Sequence, residues 1–246
     1  MTAIGRTDIG LVRSQNQDSI YVSENCVGSL PNVFIVADGM GGHNAGDVAS
    51  QLAIKSFCEY AEKNQSDEIL DTLIGAVQYA NTQVYTLGKA REEYSNMGTT
   101  FVAVVINGNN SYIAHVGDSR LYRIRDNKIV QLTNDHSLVN DMLKSGDITA
   151  EQVETYLYKN VITRAVGTDK EVDVDGIVEQ NLENDILLLC SDGLSGMLSV
   201  EEILSIADDS SLSLEKRADK LVALAKDHGG KDNISVVLVT IGGADK

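Results

Sequence analysis

Val33-Phe34-Ile35-Val36-Ala37-Asp38-Gly39-Met40-Gly41-Gly42-His43 is an apolar run that stops at an acidic residue and passes into glycines. Five consecutive apolar residues bounded by turn formers read as a short buried strand, with Asp38 set where it ends. The pattern recurs along the chain. Ile186-Leu187-Leu188-Leu189-Cys190 leads to Asp192-Gly193, and Tyr112-Ile113-Ala114-His115-Val116-Gly117 leads to Asp118. Asp232 stands just before Ile234-Ser235-Val236-Val237-Leu238-Val239, and Asp18 closes Arg13-Ser14-Gln15-Asn16-Gln17-Asp18. Small or polar residues flank these aspartates, Lys231 before Asp232 apart, and no basic partner is expected for them. Two carboxylates about 4 Å apart repel by roughly 4 kcal/mol at an effective dielectric near 20. If the five converge they require strong positive charge. The sequence offers Arg13 but no cluster of Lys or Arg, so bound divalent cations are the simplest answer.

The chain has 246 residues, 43% of them hydrophobic and 23% charged, with a single proline, Pro31. It can bury a large core, and no Pro- or Ser-rich linker divides it. One domain over residues 1–246 is expected. The 20 Lys and Arg against 36 Asp and Glu leave a formal charge of −16. That balance argues against nucleic acid as a partner and against docking to anionic membranes. Cys26, Cys58 and Cys190 form an odd set without metal-finger spacing. Cys190, inside an apolar run, reads as a buried inert thiol, and a reducing cytoplasmic setting fits best. The first ten residues lack the apolar stretch of a signal peptide. No apolar run approaches the roughly 20 residues of a membrane helix.

Short strands are expected at Thr2–Thr7, Ser19–Val27 and Val33–Ala37, followed by helices at Ala45–Lys63 and Asp67–Glu93. In the second helix Ile69, Leu73, Val77, Ala80, Val84 and Leu87 recur every three or four residues. A meander of β-branched runs follows at Thr99–Ile106, Ser111–Val116, Arg120–Arg125 and Lys128–Leu132. Asn107-Gly108-Asn109-Asn110 and Asp126-Asn127 supply its hairpin signals. Two small helices are expected at Leu138–Lys144 and Ala150–Thr155, and strands at Glu171–Glu179, Asp185–Cys190 and Ile234–Ile241. The last helices fall at Val200–Ala207 and Ser213–Asp227, the latter closed by Gly229-Gly230. Hairpin-joined strands with helices in blocks predict an α+β sandwich, not a doubly wound sheet.

Several motifs fail. Gly39-Met40-Gly41-Gly42-His43-Asn44 lacks the third glycine of a dinucleotide fingerprint, and Gly41 to Gly46 is followed by Asp47-Val48 where a phosphate loop needs Lys and Ser or Thr. Glu171 to Gly176 imitates the start of an EF-hand, but Leu182 stands where the bidentate ligand belongs. Asp192-Gly193-Leu194-Ser195-Gly196 is not a nucleophile elbow.

Six short motifs hold as an ordered set: Arg-x-x-Asn-x-Asp at 13–18, Asp-Gly-Met-Gly-Gly-His at 38–43, Gly-Thr-Thr at 98–100, Gly-Asp-Ser-Arg at 117–120, Ser-Asp-Gly at 191–193 and Asp-Asn-Ile at 232–234. Each alone is a turn signal. Together, in this order, they resemble the metal-dependent type 2C (PPM) family of Ser/Thr protein phosphatases in its bacterial single-domain form, from about Thr7 to Ile241. The resemblance implies an α-β-β-α sandwich of two antiparallel β-sheets flanked by helices, with a flap near 135–165. It implies that Asp38 bridges two metal ions and that the Gly39 carbonyl completes the second site. Asp192 and Asp232 would hold the first ion, and Asp118 with Asp192 a third, weaker one. Asp18 would orient water on the metals, and Arg13 would clamp the phosphate.

The residue types suit that chemistry. Oxygen-only ligands select Mn²⁺ or Mg²⁺ over zinc. Two bridged ions acidify a shared water and stabilise charge in an in-line displacement, so no covalent phosphoenzyme is needed. A planar Arg13 guanidinium matches phosphate oxygens two at a time.

Three positions depart from the family pattern. Met40 stands where many eukaryotic relatives have a histidine proposed as general acid, and His43 is the nearest imidazole. Tyr156-Leu157 replaces a His-Pro pair of the flap, which should loosen it. Gln17 replaces a glutamate near the second metal, and Mn²⁺ is expected to support activity better than Mg²⁺. The expected partners are phosphorylated proteins, among them a Ser/Thr kinase and its substrates, with the enzyme acting as a monomer. A pseudophosphatase that binds phosphoproteins or senses metal without turnover is the alternative, and intact Asp38, Asp118, Asp192 and Asp232 weigh against it. A two-metal nuclease conflicts with the −16 charge.

Overall fold

The fold was obtained as a computed structural model, which describes residues 1–41, 45–64, 66, 68–149, 152, 156 and 161–242. Two antiparallel sheets lie face to face. One has the order β1 (Thr2–Asp8), β11 (Ile234–Thr240), β10 (Ile186–Cys190), β7 (Arg120–Arg125), β8 (Lys128–Gln131). The other runs β2 (Asp18–Ser23), β3 (Val33–Met40), β5 (Phe101–Asn107), β6 (Asn110–Val116), β9 (Asp175–Gln180), and the two-residue β4 (Gly98–Thr99) pairs with the end of β3. Helices α1 (Ala45–Lys63) and α2 (Ile69–Ala90) cover the second sheet. Helices α5 (Val200–Ala207) and α6 (Leu214–Asp227) cover the first.

The unbroken apolar runs now have a cause: their strands are buried on both faces. In β3, Val33, Ile35 and Ala37 meet Ala49, Ala53 and Phe57 of α1, while Phe34 and Val36 face the other sheet. In β10, Ile186, Leu188 and Cys190 pack under α5 and α6, and Leu187 and Leu189 point between the sheets. A period-two strand sealed on both sides has no polar face to show. Cys190 is fully buried and its thiol is pushed up to about 12 by burial, as expected of an inert thiol. Helix ends follow their local sequence. Ser199 and Glu202 form a reciprocal capping box on α5, and the Ser213 hydroxyl accepts from the Lys216 N–H at the start of α6.

The α+β sandwich reading agrees with this architecture. Asp126 and Asn127 both adopt positive φ in the β7–β8 hairpin, as a tight turn of that kind requires. Strand bounds differ in places. The strand expected from Glu171 begins at Asp175, because Asp175 pairs with His115, after which β6 turns away at Gly117. The expected Ala150–Thr155 helix and most of the flap's middle lie outside the described residues. Helix α3 (Leu138–Ser145), which opens the flap, is present and closes on Gly146 in the left-handed region. Asp192–Ser195, whose Asp-Gly pair is a turn signal in the sequence, forms a one-turn helix, α4.

Candidate active site

The antiparallel topology brings the ends of β3, β6 and β10 and the starts of β2 and β11 to one end of the sandwich. Asp18 and Asp38 stand opposite each other across the β2–β3 pair. Like charges in that relation repel. The Asp38 backbone is clamped on both sides: its carbonyl accepts from the Thr100 N–H and the Thr99 hydroxyl, both at 2.9 Å, and its N–H donates to Thr100 Oγ1 at 2.9 Å. Thr100 Oγ1 in turn lies 2.7 Å from Ser119 Oγ, beside Asp118. The Gly-Thr-Thr motif therefore fixes where Asp38 sits. A Cβ on Gly39 would come within 2.0 Å of the Gly46 carbonyl oxygen and 2.5 Å of that of Gln17, so only glycine lets β3 and α1 close here. The Gln17 side-chain amide packs against Gly46.

From the other sheet, Ser191 follows the last residue of β10 and Ser235 is the second residue of β11. Both hydroxyls donate to Asp18 Oδ2, at 2.7 and 2.6 Å, while Asp18 Oδ1 is buried without a protein partner. Asn233 ties the remaining loops together. Its Oδ1 accepts from the Gln17 N–H at 2.8 Å, and its Nδ2 donates to the Ile9 and Gln15 carbonyls at 3.0 and 2.9 Å. Nothing in the sequence around Ser191, Ser235 and Asn233 signals this role. Such a role depends on which strand ends meet.

Electrostatics show the convergence. Burial pushes the Asp38 carboxyl well above the usual range, and Asp18, Asp192, Asp118 and Asp232 add to the rise. Burial, then the charges of Asp192 and Asp232, take Asp18 to about 6 against its two hydroxyl donors. Burial and then Asp192 raise Asp118 to about 7; burial and then Asp232 raise Asp192. One expectation needs correcting. Asp232 does have a basic partner: Arg13 Nη2 lies 2.6 Å from its Oδ2, half-exposed at the rim, because the Gly10–Gln17 loop folds over the start of β11. His43 falls outside the described residues, while Met40 pairs with Gly98 across β3 and β4.

The loop carrying Asp118 is held from the flap side. The Gly117 N–H donates to His136 Nδ1 at 3.0 Å, the His136 N–H to the Gly117 carbonyl at 2.8 Å, and Arg120 grips Asp135 with three bonds of 2.6–3.1 Å. His115, His136 and Asp175 place three ligand-type atoms within 4.8 Å. Their bonds speak against a metal there. A His136 ring that accepts at Nδ1 carries its proton on Nε2, 3.1 Å from Asp175, and Arg164 already supplies a cation to Asp175 at 2.7 Å.

The strand-end carboxylates fit divalent metal much better. Asp18 Oδ1, Asp118 Oδ1 and Asp192 Oδ1 are all buried with no protein donor, and the donor set is hard oxygen throughout.

A pH dependence follows in chelator. At pH values between about 4 and 7 the folded chain keeps a proton on Asp118 that the unfolded chain releases. The stability Asp118 contributes is therefore fully present below about pH 4 and is lost as pH rises through about 7. Asp118→Asn should consequently gain roughly 2–3 kcal/mol on the parent between pH 5 and pH 8. Denaturant titrations with parallel pH profiles for the two proteins would contradict this.

The comparisons with known proteins agree with this geometry. The protein phosphatase 2C family model matches residues 12–226. The serine/threonine phosphatase stp of Listeria welshimeri is 40% identical over 243 residues, covering 97% of this chain and 95% of the relative. The crystal structure of the Mycobacterium tuberculosis serine/threonine phosphatase PstP/Ppp aligns with a TM-score of 0.89 at 33% identity, covering 98% of this chain and 99% of that one. A PstP catalytic domain solved with two manganese ions aligns at 0.83 and 34%, covering 96% of both chains. Among the described residues no helix is long and apolar enough to cross a membrane. By sequence over nearly its full length, and by the two-sheet sandwich that gathers its aspartates at one end, the chain belongs to the protein phosphatase 2C family.

Proposed function

We propose that the chain is a metal-dependent protein serine/threonine phosphatase that hydrolyses phosphoserine and phosphothreonine by direct attack of water. The observation that carries this reading is the bearing of Asp18, Asp118, Asp192 and Asp232 on a buried Asp38. Asp38, the Gly39 carbonyl, Asp192 and Asp232 would hold two ions, Mn²⁺ or Mg²⁺, and Asp118 with Asp192 a third. Bound there, the ions supply an acidified water as nucleophile and offset charge on the phosphate.

The chain's own groups do the rest. Arg13, at the rim, presents a planar fork to two phosphate oxygens and orients the ester for in-line displacement. Asp18, its Oδ2 fixed by Ser191 and Ser235, takes the proton of the attacking water on Oδ1. The two hydroxyl bonds leave Oδ1 as the carboxyl oxygen with no protein donor. No cysteine takes part; the three are unpaired and Cys190 is sealed in the core.

The reading extends to residues 1–246 as one catalytic domain with a flap at 135–165. It takes phosphorylated proteins as substrates, a Ser/Thr kinase as the activity opposed, a monomer as the working state and the cytoplasm as its place. The unpaired cysteines support the cytoplasmic placement, and membership of the family supports phosphorylated proteins as substrates. No observation favours the pseudophosphatase alternative.

The test is hydrolysis of p-nitrophenyl phosphate and a phosphothreonine peptide by exhaustively chelated protein. Turnover is expected to be absent, to return with millimolar Mn²⁺, and to return less with Mg²⁺. Undiminished activity in chelator would refute the proposal.

A further inference from the structure

The loop that delivers Arg13 carries apolar side chains that the core does not use. Ile9 is 38% exposed, Leu11 63% and Val12 68%. Among the described residues, Leu11 and Val12 are the two most exposed large apolar side chains. Single exposed aliphatics are ordinary on soluble proteins, but three within four positions form a patch.

Loop mobility does not account for it. The Leu11 N–H donates to the Gly230 carbonyl at 2.7 Å, the Gly10 N–H to Asp8 Oδ1 at 2.9 Å, and the Ile9 carbonyl accepts from Asn233 at 3.0 Å. Gly10 itself sits at φ +78, where a Cβ would strike the Asp232 carbonyl oxygen at 2.2 Å. The backbone is thus pinned to the same turn that carries Asp232, and the side chains are held outward.

Position gives the patch its use. Val12 and Leu11 immediately precede the guanidinium assigned to the phosphate. Consecutive Cα atoms lie about 3.8 Å apart, so the backbone of both lies within about 8 Å of the Arg13 Cα, alongside the path of a peptide whose phosphate rests on the guanidinium. The surrounding charge, −16 for the chain, disfavours acidic neighbours beside the phosphoresidue. We propose that Leu11 and Val12 form an apolar subsite that selects protein substrates with aliphatic or aromatic residues directly next to the phosphothreonine or phosphoserine. This inference rests on the phosphatase reading and specifies its substrate class.

The experiment compares p-nitrophenyl phosphate with two phosphothreonine peptides of equal length, one flanked by Leu, Val and Phe, the other by Ser and Asp, all with Mn²⁺. The parent should prefer the apolar peptide about tenfold in kcat/KM, the gain from burying one to two aliphatic groups. Val12→Ser, and separately Leu11→Ser/Val12→Ser, should lose that preference through KM while hydrolysing p-nitrophenyl phosphate at the parental rate. Equal parental rates on both peptides would overturn the subsite. So would an equal loss on all three substrates, which would mean that the loop only supports Arg13. A concentration-dependent dimer in sedimentation, abolished by Val12→Ser, would reassign the patch to contact between two copies. Failure of the parent on p-nitrophenyl phosphate itself would instead remove the phosphatase reading on which the subsite depends.

Discussion

Asp192→Ala is expected to lower Mn²⁺-supported turnover of p-nitrophenyl phosphate and of phosphothreonine peptides by about 10³-fold or more, an effect of roughly 4 kcal/mol. Asp192 is the pivot of the cluster. Its charge acts on Asp18, Asp38 and Asp118 and on the Arg13 guanidinium. The resemblance places it in two of the three metal sites. Its Oδ1 is buried with no hydrogen-bond partner, while its charge is opposed by Asp232 and favoured by Arg13 and Arg120. The isosteric Asp192→Asn separates charge from shape. In chelator it removes one of several mutually repelling buried carboxylates, and its melting temperature should equal or exceed that of the parent. Retention of more than a tenth of parental turnover by Asp192→Ala would exclude this carboxylate from the catalytic centre. A lowered melting temperature for Asp192→Asn in chelator would show that its charge is satisfied within the protein.

The second large effect belongs to a residue without a side chain. A methyl at Gly193 would lie 1.9 Å from the Asn233 carbonyl oxygen and 3.4 Å from Asp232 Cβ. The obstacle is backbone, and Asn233 is itself bound to the Gln17, Ile9 and Gln15 main chains, so it cannot yield without moving the rim of the site. Gly193→Ala should cost about 3 kcal/mol of stability and most of the turnover, because Asp192 and Asp232 are pushed apart together. Gly108→Ala is the control: its φ is +56 but nothing stands within 4 Å, so the cost is about 1 kcal/mol of backbone strain and activity is kept. A Gly193→Ala protein as stable as the parent would mean that the α4–β11 contact is looser than its geometry indicates.

Much of this was legible in the chain. Helix α1 falls at Ala45–Lys63, as its periodicity indicates, and β7 and α5 also match residue for residue. Local signals suffice for such segments because a helix repeats every 3.6 residues and a hairpin is closed by its own turn. The aspartates were visible as interruptions of apolar runs, and the order of the motifs identified the family. Three things were not legible. The apolar runs of β3 and β10 read as buried strands but did not disclose which layer each residue faces, since period two disappears when no face is wet. The hydroxyls of Ser191 and Ser235 converge on Asp18 only because β10 and β11 are neighbours in one sheet while β2 belongs to the other. The ion pair of Arg13 with Asp232 joins positions 219 residues apart, a separation that no local pattern encodes.

That separation shapes how the enzyme is made. Strand β1 pairs with β11, and Asp18 receives a hydroxyl from a residue 217 positions later. Contacts so distant in sequence form late, because the long intervening loop must first be closed. On the ribosome, where segments emerge in order, a growing chain that already displays Arg13, Asp18 and Asp38 lacks the rest of the proposed centre until Asp232 and Ser235 have left the tunnel. Catalytic competence is thereby tied to completion of the two-sheet sandwich.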